Sequence, residues 1–234
     1  LHSAGGIDST GTFYAEALNA AGIATLEIDM WEARGVTGLA DRPQAPVLTY
    51  PDAFAALEYL ADLPDIDANR IGVMGFSWGG VVSLAASEQT YVGMFGGGHS
   101  FKAHVANYPI CYAANNAAIT PDVVSGGTLY ANLTGAPVLI QIGSEDDYDN
   151  GADACKSLAA QVNPSNGNVV EVAEYRGAAH GWDRLMIPIG VPDPFGNKGS
   201  YFATGVVPRV DLVPDVDQAH ASRRRVVRFF QRNL

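Results

Sequence analysis

The order of the apolar segments constrains this chain more than any other feature of its sequence. Short apolar runs typical of buried β-strands alternate with longer runs that have helical character. The strand candidates are residues 23–29, 71–76, 104–108, 138–142 and 169–175. The helix candidates around them are residues 11–21, 51–63, 79–87, 151–162 and 219–232. Strands separated by helices favour a mostly parallel sheet with helices on both faces, so the sequence predicts an α/β fold.

Composition narrows the class of protein further. The 234 residues are 47% hydrophobic, enough for one sizeable core, and we predict a single domain over residues 1–234. The 25 acidic residues outnumber 14 basic ones, and the net charge of −11 disfavours nucleic acid or an anionic membrane as a partner. No apolar run approaches the ~18 residues that span a bilayer. Residues 183–217 contain five prolines, and we expect them to form a long irregular segment that is a candidate lid.

The most informative stretch is residues 75–80, which read GFSWGG. They follow the second predicted strand directly and lead into a helix of small residues, the context of a G-x-S-x-G nucleophile elbow. Such a turn is tight, so Gly75 and Gly79 are needed to remove side-chain bulk on either side of Ser77. Gly80 then allows the helix to pack closely. The pattern predicts that Ser77 is a nucleophile at the carboxyl end of the sheet.

A serine nucleophile needs a general base, and that base needs an acid to orient it. In this architecture the acid and then the histidine follow the serine along the chain. His180 is the favoured base among five histidines, because it follows the last predicted strand at the end of the sheet where ligands bind.

The acid is expected in the loop after the fourth predicted strand. That loop offers four carboxylates, the first two of which are favoured: Asp146, Asp147, Asp149 and Glu145. Spacing alone does not separate Asp146 from Asp147. Asp149 or Asn150 is also suited to cap a helix that begins at Gly151.

When a serine attacks a carbonyl carbon, the carbonyl oxygen becomes a negatively charged oxyanion, which two backbone N–H groups typically stabilise. The first is expected from Trp78, the residue after the nucleophile, and the second from a loop after an early strand. Residues 1–6 (LHSAGG) fit that loop, with Ala4 the favoured donor and Gly5 the next candidate, beside the substrate. No strand precedes this loop in the sequence, so we expect further residues upstream of Leu1.

With these motifs the chain resembles the dienelactone hydrolase family of α/β-hydrolases. The resemblance is carried by residues 75–80 (GFSWGG), 139–148 (LIQIGSEDDY) and 175–182 (YRGAAHGW). It implies the α/β-hydrolase fold and selects Asp146 as the acid, three residues after the glycine that ends the strand. It also implies that Arg184 holds a substrate carboxylate, a task suited to a bidentate guanidinium. Arg42 is a second candidate for that task, and the competing interpretation of Arg184 is a surface ion pair.

Two features depart from the best-known members of that family. Ser77 stands where they have a cysteine nucleophile, and residues 2–4 lack the glutamate of their oxyanion loop. These differences favour a general carboxylesterase over a dienelactone hydrolase. Some relatives also place cysteines near Cys111 and Cys155, so the resemblance implies a possible disulfide, which would indicate an exported protein.

The sequence therefore predicts a serine carboxylic-ester hydrolase that uses Ser77, His180 and Asp146. One alternative is a dienelactone-type hydrolase of small acidic lactones, and another is a non-catalytic ligand-binding module on the same scaffold. The expected partner is a small-molecule ester or lactone. No metal or organic cofactor is expected, because the sequence has no complete cluster of metal ligands.

Overall fold

The computed structural model describes residues 1–114 and 130–234. Its main sheet contains four parallel strands in the order β1-β2-β3-β4. These strands are β1 Gly72–Phe76, β2 Ala103–Asn107, β3 Val138–Glu145 and β4 Val170–Ala179. Each one overlaps a strand predicted from the sequence. Since helices separate these strands along the chain, the predicted α/β fold is confirmed.

Five helices of the described residues match the five helix candidates, with ends that shift by a few residues, whereas four short helices were not predicted. In chain order they are α1 Ser9–Ala20, α2 Tyr50–Ala61, α3 Trp78–Ala85, α4 Gln89–Phe95, α5 Cys111–Ala114, α6 Asp153–Asn166, α7 Gly196–Gly199, α8 Tyr201–Thr204 and α9 Val216–Asn233. The four that were not predicted are α4, α5, α7 and α8. Two short 3₁₀ helices span Glu32–Arg34 and Pro46–Thr49. No helix within 1–114 or 130–234 is long and apolar enough to cross a bilayer.

Helices cover both faces of the sheet, as two glycines of β1 show. A Cβ on Gly72 would contact Phe230 of α9, whereas a Cβ on Gly75 would overlap the start of α3 at Gly79. Residues three apart on a strand point to opposite faces, so α9 and α3 lie on opposite sides of the sheet. The interior strand β2 is buried along its whole length, while the edge strand β4 has the half-exposed pattern that its alternating sequence predicts.

The prediction of a strand at residues 23–29 is wrong. This segment has no strand pairing to the rest of the described chain, and most of its side chains are exposed, Leu26 at 42%. A strand requires a neighbour that completes its backbone hydrogen bonds, and an apolar run does not reveal whether one is present. The edge of β1 is instead joined by the chain start, where the Phe76 N–H donates to the Leu1 carbonyl at 3.2 Å.

The prediction that residues 183–217 are irregular throughout is also wrong. This segment contains the antiparallel strands β5 Ile189–Pro192 and β6 Arg209–Leu212, with α7 and α8 between them. Each strand has only four residues, which is about the shortest length over which alternation indicates a strand. The hairpin-like unit is therefore an ordered part of the molecule.

Candidate active site

The strand-to-helix turn holds Ser77 in an unusual backbone conformation. Its φ of 50° and ψ of −108° lie outside the regions that most non-glycine residues adopt, and α3 begins at the next residue, Trp78. The Ser77 N–H donates to the carbonyl of Asn107 at 2.9 Å, which ties the turn to the end of β2. Backbone strain of this kind persists only where the surrounding structure holds it in place, and it is most common at functional sites.

The glycines around Ser77 are required by close backbone contacts. A Cβ on Gly75 would overlap the carbonyl of Gly79, and a Cβ on Gly79 would overlap the carbonyl of Leu1. A Cβ on Gly80 would lie 2.6 Å from the carbonyl oxygen of Asn107, which is too close for any side chain. The turn therefore depends on having no side chain at three positions.

The structure brings Ser77, His180 and Asp146 together in one chain of hydrogen bonds. His180 Nε2 lies 3.0 Å from Ser77 Oγ, and His180 Nδ1 lies 2.7 Å from Asp146 Oδ2. All three side chains are buried. Asp146 Oδ1 accepts hydrogen bonds from the N–H of Tyr148 at 2.9 Å and of Asp149 at 3.4 Å. Both carboxylate oxygens are thus held in place, which fixes the direction in which the histidine ring points.

The neighbouring carboxylates have other contacts. Asp147 accepts a hydrogen bond from the Asp211 N–H at 2.8 Å, and Glu145 is exposed. The prediction that Asp149 or Asn150 caps the following helix is wrong for both residues, because α6 begins at Asp153 without a side-chain cap. Asp149 instead accepts from the N–H groups of Cys111 and Tyr112 at 2.9 and 2.7 Å.

Asp149 and a disulfide together hold α5 against the loop that contains Asp146 and against α6. Burial and the charge of Asp146 raise the pKa of the Asp149 carboxyl to about 8. Cys111 and Cys155 are joined in a disulfide, which links α5 to α6 as the resemblance implied. Their two sulfurs and Asp149 lie close together, but bonded sulfurs are not available as thiolate ligands for a metal.

The first residues of the chain pack against the nucleophile turn. The N–H of Gly79 donates to the carbonyl of His2 at 3.1 Å, while the buried His2 ring accepts from the Met30 N–H at 2.9 Å. Among the described residues, the N–H groups of Ala4 and Trp78 have no hydrogen-bond acceptor. The Gly5 N–H differs, because it donates to Ser3 Oγ at 3.3 Å. Ala4 therefore has the freer donor of the two loop candidates.

Ser77 and His180 line a cavity of about 330 Å³, together with Ala4 and Gly5. Its lining includes two arginines and two aspartates, which we together call the charged wall: Asp8, Arg42, Arg184 and Asp193. Both β5 and β6 contribute apolar side chains to the cavity, from Ile189, Val191 and Leu212. Part of the segment 183–217 therefore lines the same cavity as Ser77 and His180.

Both arginines of the charged wall already have carboxylate partners. Arg184, which the resemblance assigned to a substrate carboxylate, has its Nε 3.1 Å from Asp8 Oδ2. Arg42 Nη2 lies 3.2 Å from Asp193 Oδ2, and its guanidinium sits 5.7 Å from the centre of the Trp78 ring. The ion-pair interpretation of Arg184 thus describes its contact in this structure, although the pair lines the cavity.

Sequence reasoning missed Asp183, a fully buried carboxylate next to the site. It accepts hydrogen bonds from the hydroxyls of Tyr14 and Tyr108, both at 2.7 Å, and burial raises its pKa to about 6. The ring of Tyr108 in turn packs edge-on against His180, with ring centres 4.7 Å apart. No local pattern marks Asp183, because its partners lie 75 and 169 residues away.

A parallel sheet with a serine on a strained strand-to-helix turn, and a histidine after a later strand, defines an α/β-hydrolase. A family model described as the dienelactone hydrolase family matches residues 36–188, about two thirds of the chain. The chain therefore belongs to the dienelactone hydrolase family, and it is a hydrolase-type protein. No curated protein sequence matches it significantly.

Solved structures show the same fold at low sequence identity. A Klebsiella pneumoniae protein assigned as a dienelactone hydrolase is 16% identical, with a TM-score of 0.63 over 98% of this chain and 84% of its own. A dienelactone hydrolase-like promiscuous phosphotriesterase from metagenomic libraries is 16% identical, with a TM-score of 0.61 over 99% of this chain and 84% of its own. Esterase 2 of Thermogutta terrifontis is 15% identical, with a TM-score of 0.50 over 82% of this chain and 66% of its own.

Proposed function

We propose that this protein is a serine hydrolase of carboxylic esters. The observation that carries the proposal is the hydrogen-bonded series from Ser77 through His180 to Asp146, which opens into the cavity. A serine hydroxyl becomes a useful nucleophile when a base lies within hydrogen-bond reach and an acid orients that base. The distances of 3.0 and 2.7 Å meet both requirements.

In the proposed reaction, Ser77 Oγ attacks the ester carbonyl carbon while His180 Nε2 takes the hydroxyl proton. The oxygen that becomes negative is stabilised by the N–H groups of Trp78 and Ala4. His180 then gives its proton to the leaving alcohol as the carbon–oxygen bond breaks. Water attacks the resulting acyl-enzyme by the same route, releases the acid and restores Ser77.

Asp146 has an electrostatic and orienting role in this scheme. It accepts a hydrogen bond from Nδ1–H of His180, which leaves Nε2 free to accept the serine proton. Its negative charge stabilises the imidazolium that forms in each half of the reaction. The scheme uses only side chains and backbone groups of this chain, so we propose no metal and no organic cofactor.

The replacement Ser77→Ala tests the proposal with p-nitrophenyl butyrate as substrate. We expect kcat to fall by about 10⁴-fold or more with the melting temperature within a few degrees of that of the parent. A fluorophosphonate probe should add one label to the parent protein at Ser77 and none to the variant. Undiminished ester hydrolysis by the variant would rule the mechanism out, and a folded parent that neither labels nor hydrolyses would favour a binding module.

The alternative is a hydrolase of small acidic lactones, which the same three residues would open through an acyl-enzyme. The observation in its favour is that Arg42 and Arg184 both line the cavity. The replacement Arg184→Glu should then reduce kcat/KM for an acidic lactone far more than for a neutral one. Equal losses on both lactones would reject this alternative.

We also propose that the protein works in an oxidising compartment outside the cytoplasm. The disulfide between Cys111 and Cys155 supports this, because such bonds are rare where thiols are kept reduced. Mass spectrometry of the protein from its natural source, digested without reductant, should recover the two cysteines as one linked pair. Two separately alkylated thiols would contradict the proposal.

A further inference from the structure

We propose that Asp8 and Asp193 act as specificity residues, which occupy the two cavity arginines and make the site select uncharged esters over carboxylate-bearing ones. The inference rests on the proposed ester hydrolase and names its class of substrate. It also reverses the role that the family resemblance suggests for Arg184. The supporting observations are the contacts and the charges of the charged wall.

The pair of Asp8 and Arg184 is a built contact rather than a loose surface one. The two oxygens of Asp8 have different tasks: Oδ2 lies 3.1 Å from Arg184 Nε, and Oδ1 accepts the Thr10 N–H at 2.9 Å as the N-cap of α1. Ser9 Oγ also donates to the Arg184 carbonyl at 3.4 Å. Both charged side chains are about four fifths buried, so their pairing is only partly screened by water.

The pair of Arg42 and Asp193 is held at least as firmly. Asp193 Oδ2 accepts from Arg42 Nη2 at 3.2 Å and from the Tyr148 hydroxyl at 3.0 Å, while its other oxygen accepts the Phe195 N–H at 2.9 Å. The Asp193 side chain is only 9% exposed. Three donors satisfy this carboxylate, and one of these bonds would be lost if Arg42 moved to a ligand.

The balance of charge in the cavity also opposes an anionic substrate. Its lining holds three carboxylates, Asp8, Glu27 and Asp193, against two guanidiniums, Arg42 and Arg184. A substrate carboxylate would add a fourth negative charge to a partly buried cavity in which Asp8 and Asp193 already neutralise both guanidiniums. Rejection by an unpaired buried charge is an effective source of specificity.

The replacement Asp8→Asn tests this inference. Asparagine caps a helix as well as aspartate does, so α1 keeps its N-cap while Arg184 loses its charged partner. The two substrates are monomethyl glutarate, an anion, and methyl pentanoate, its neutral counterpart of equal length. We expect the parent to favour methyl pentanoate. Asp8→Asn should raise the kcat/KM ratio of anionic to neutral ester by about tenfold or more, since the charge of Arg184 is then no longer neutralised by a carboxylate.

Two matched variants separate the role of Arg184 from a general change of charge. Glu27→Gln removes one negative charge from the same cavity, but Glu27 has no arginine partner among the described residues. It should change the ratio by less than about twofold, because its effect is screened. The double variant Asp8→Asn with Arg184→Gln should return the ratio to about the parent value.

The results of these measurements distinguish failure of the inference from failure of the proposed function. An unchanged ratio in Asp8→Asn, an equal rise in Glu27→Gln, or a parent that prefers the anionic ester would each overturn the inference. If the parent hydrolyses p-nitrophenyl butyrate but neither methyl ester, the proposed function stands and the inference is judged by binding; if it hydrolyses none of the three and takes no fluorophosphonate label, the proposed function fails. Calorimetric titration of monomethyl glutarate into Ser77→Ala, with and without Asp8→Asn, should then show about tenfold tighter binding with the second change, and equal affinities would refute it.

Discussion

The turn that holds Ser77 (residues 75–80) and the charged wall both contribute to the lining of one cavity, but they are assembled in different ways. In the turn, Ser77 and the glycines that it requires all lie within residues 75–80, and Gly75 packs against Gly79 of the same stretch, although Leu1 and Asn107 also approach Gly79 and Gly80. In the charged wall, each contact joins distant parts of the chain: Asp8 pairs with Arg184, 176 residues away, and Arg42 pairs with Asp193, 151 residues away.

This difference separates the part of the site that sequence describes from the part that it does not. A steric requirement between neighbours leaves a fixed spacing of glycines, which is visible in a single sequence. An ion pair across the cavity leaves no such spacing, since any aspartate and any arginine satisfy it once the fold brings them together. Reaction chemistry is therefore easier to infer from this sequence than substrate preference.

The largest effect is expected where two adjacent aspartates differ in their partners. Asp146→Asn should lower kcat for p-nitrophenyl butyrate by about 10⁴-fold at neutral pH, because an amide stabilises the wrong histidine tautomer, as it does in serine proteases. Asp147→Asn should change kcat by less than about twofold, since an amide oxygen still accepts the Asp211 N–H. Equal losses in both variants, or a larger loss in Asp147→Asn, would break the assignment of the acid.

Much of the fold was predictable from the sequence for the same reason that the turn was. The strands β1 to β4 appear as apolar segments between turn residues, and α2, α6 and α9 have apolar residues at helical spacing. The failures were residues 23–29, which lack a strand neighbour in the described chain, and the short strands within 183–217. In both places the outcome depends on a pairing partner and not on the segment itself.

A second prediction tests whether local sterics control the turn. Gly75→Ala should lower the free energy of unfolding by about 3 kcal/mol or more, because its Cβ has no room beside the Gly79 backbone. Gly93→Ala is the control, since an added Cβ there meets nothing within 4 Å and lies on the exposed face of α4. It should stabilise the protein by up to about 1 kcal/mol, because alanine favours a helix.

Thermal and denaturant unfolding of the two variants measure this difference. A Gly75→Ala protein that is too unstable to purify agrees with the prediction only if Gly93→Ala is obtained in normal yield. If both variants unfold at the same temperature as the parent, the turn tolerates a side chain and the steric account of the motif is wrong.

The substrate side of the cavity could not be predicted beyond its candidates. The sequence suggested Arg184 and Arg42 as carboxylate ligands, but it did not reveal that Asp8 and Asp193 pair with them. It also gave no sign that Asp183 is buried and accepts a hydrogen bond from Tyr108, whose ring packs against His180. Burial of a carboxylate depends on tertiary partners, here Tyr14 and Tyr108, and their hydroxyls carry no sequence signal.

The smallest effect concerns Asp183 and the dependence of stability on pH. Its pKa is raised by burial from 3.8 to about 6 in the folded protein. Between these values the folded state holds a proton that the unfolded state has lost, so stability falls as pH rises from about 4 to about 6. A difference of roughly two pKa units corresponds to about 3 kcal/mol, which is fully lost above the folded pKa.

Asp183→Asn removes this titration without removing the polar group. We expect the loss of unfolding free energy between about pH 4 and about pH 7, measured with urea, to be smaller in the variant than in the parent by about 3 kcal/mol. Asp149 also has a raised pKa, but it titrates in both proteins and cancels from this difference. If the two proteins lose the same stability over this range, Asp183 does not titrate as a buried carboxyl. The hydrogen bond that joins it to Tyr108, which packs against His180, would then be wrong.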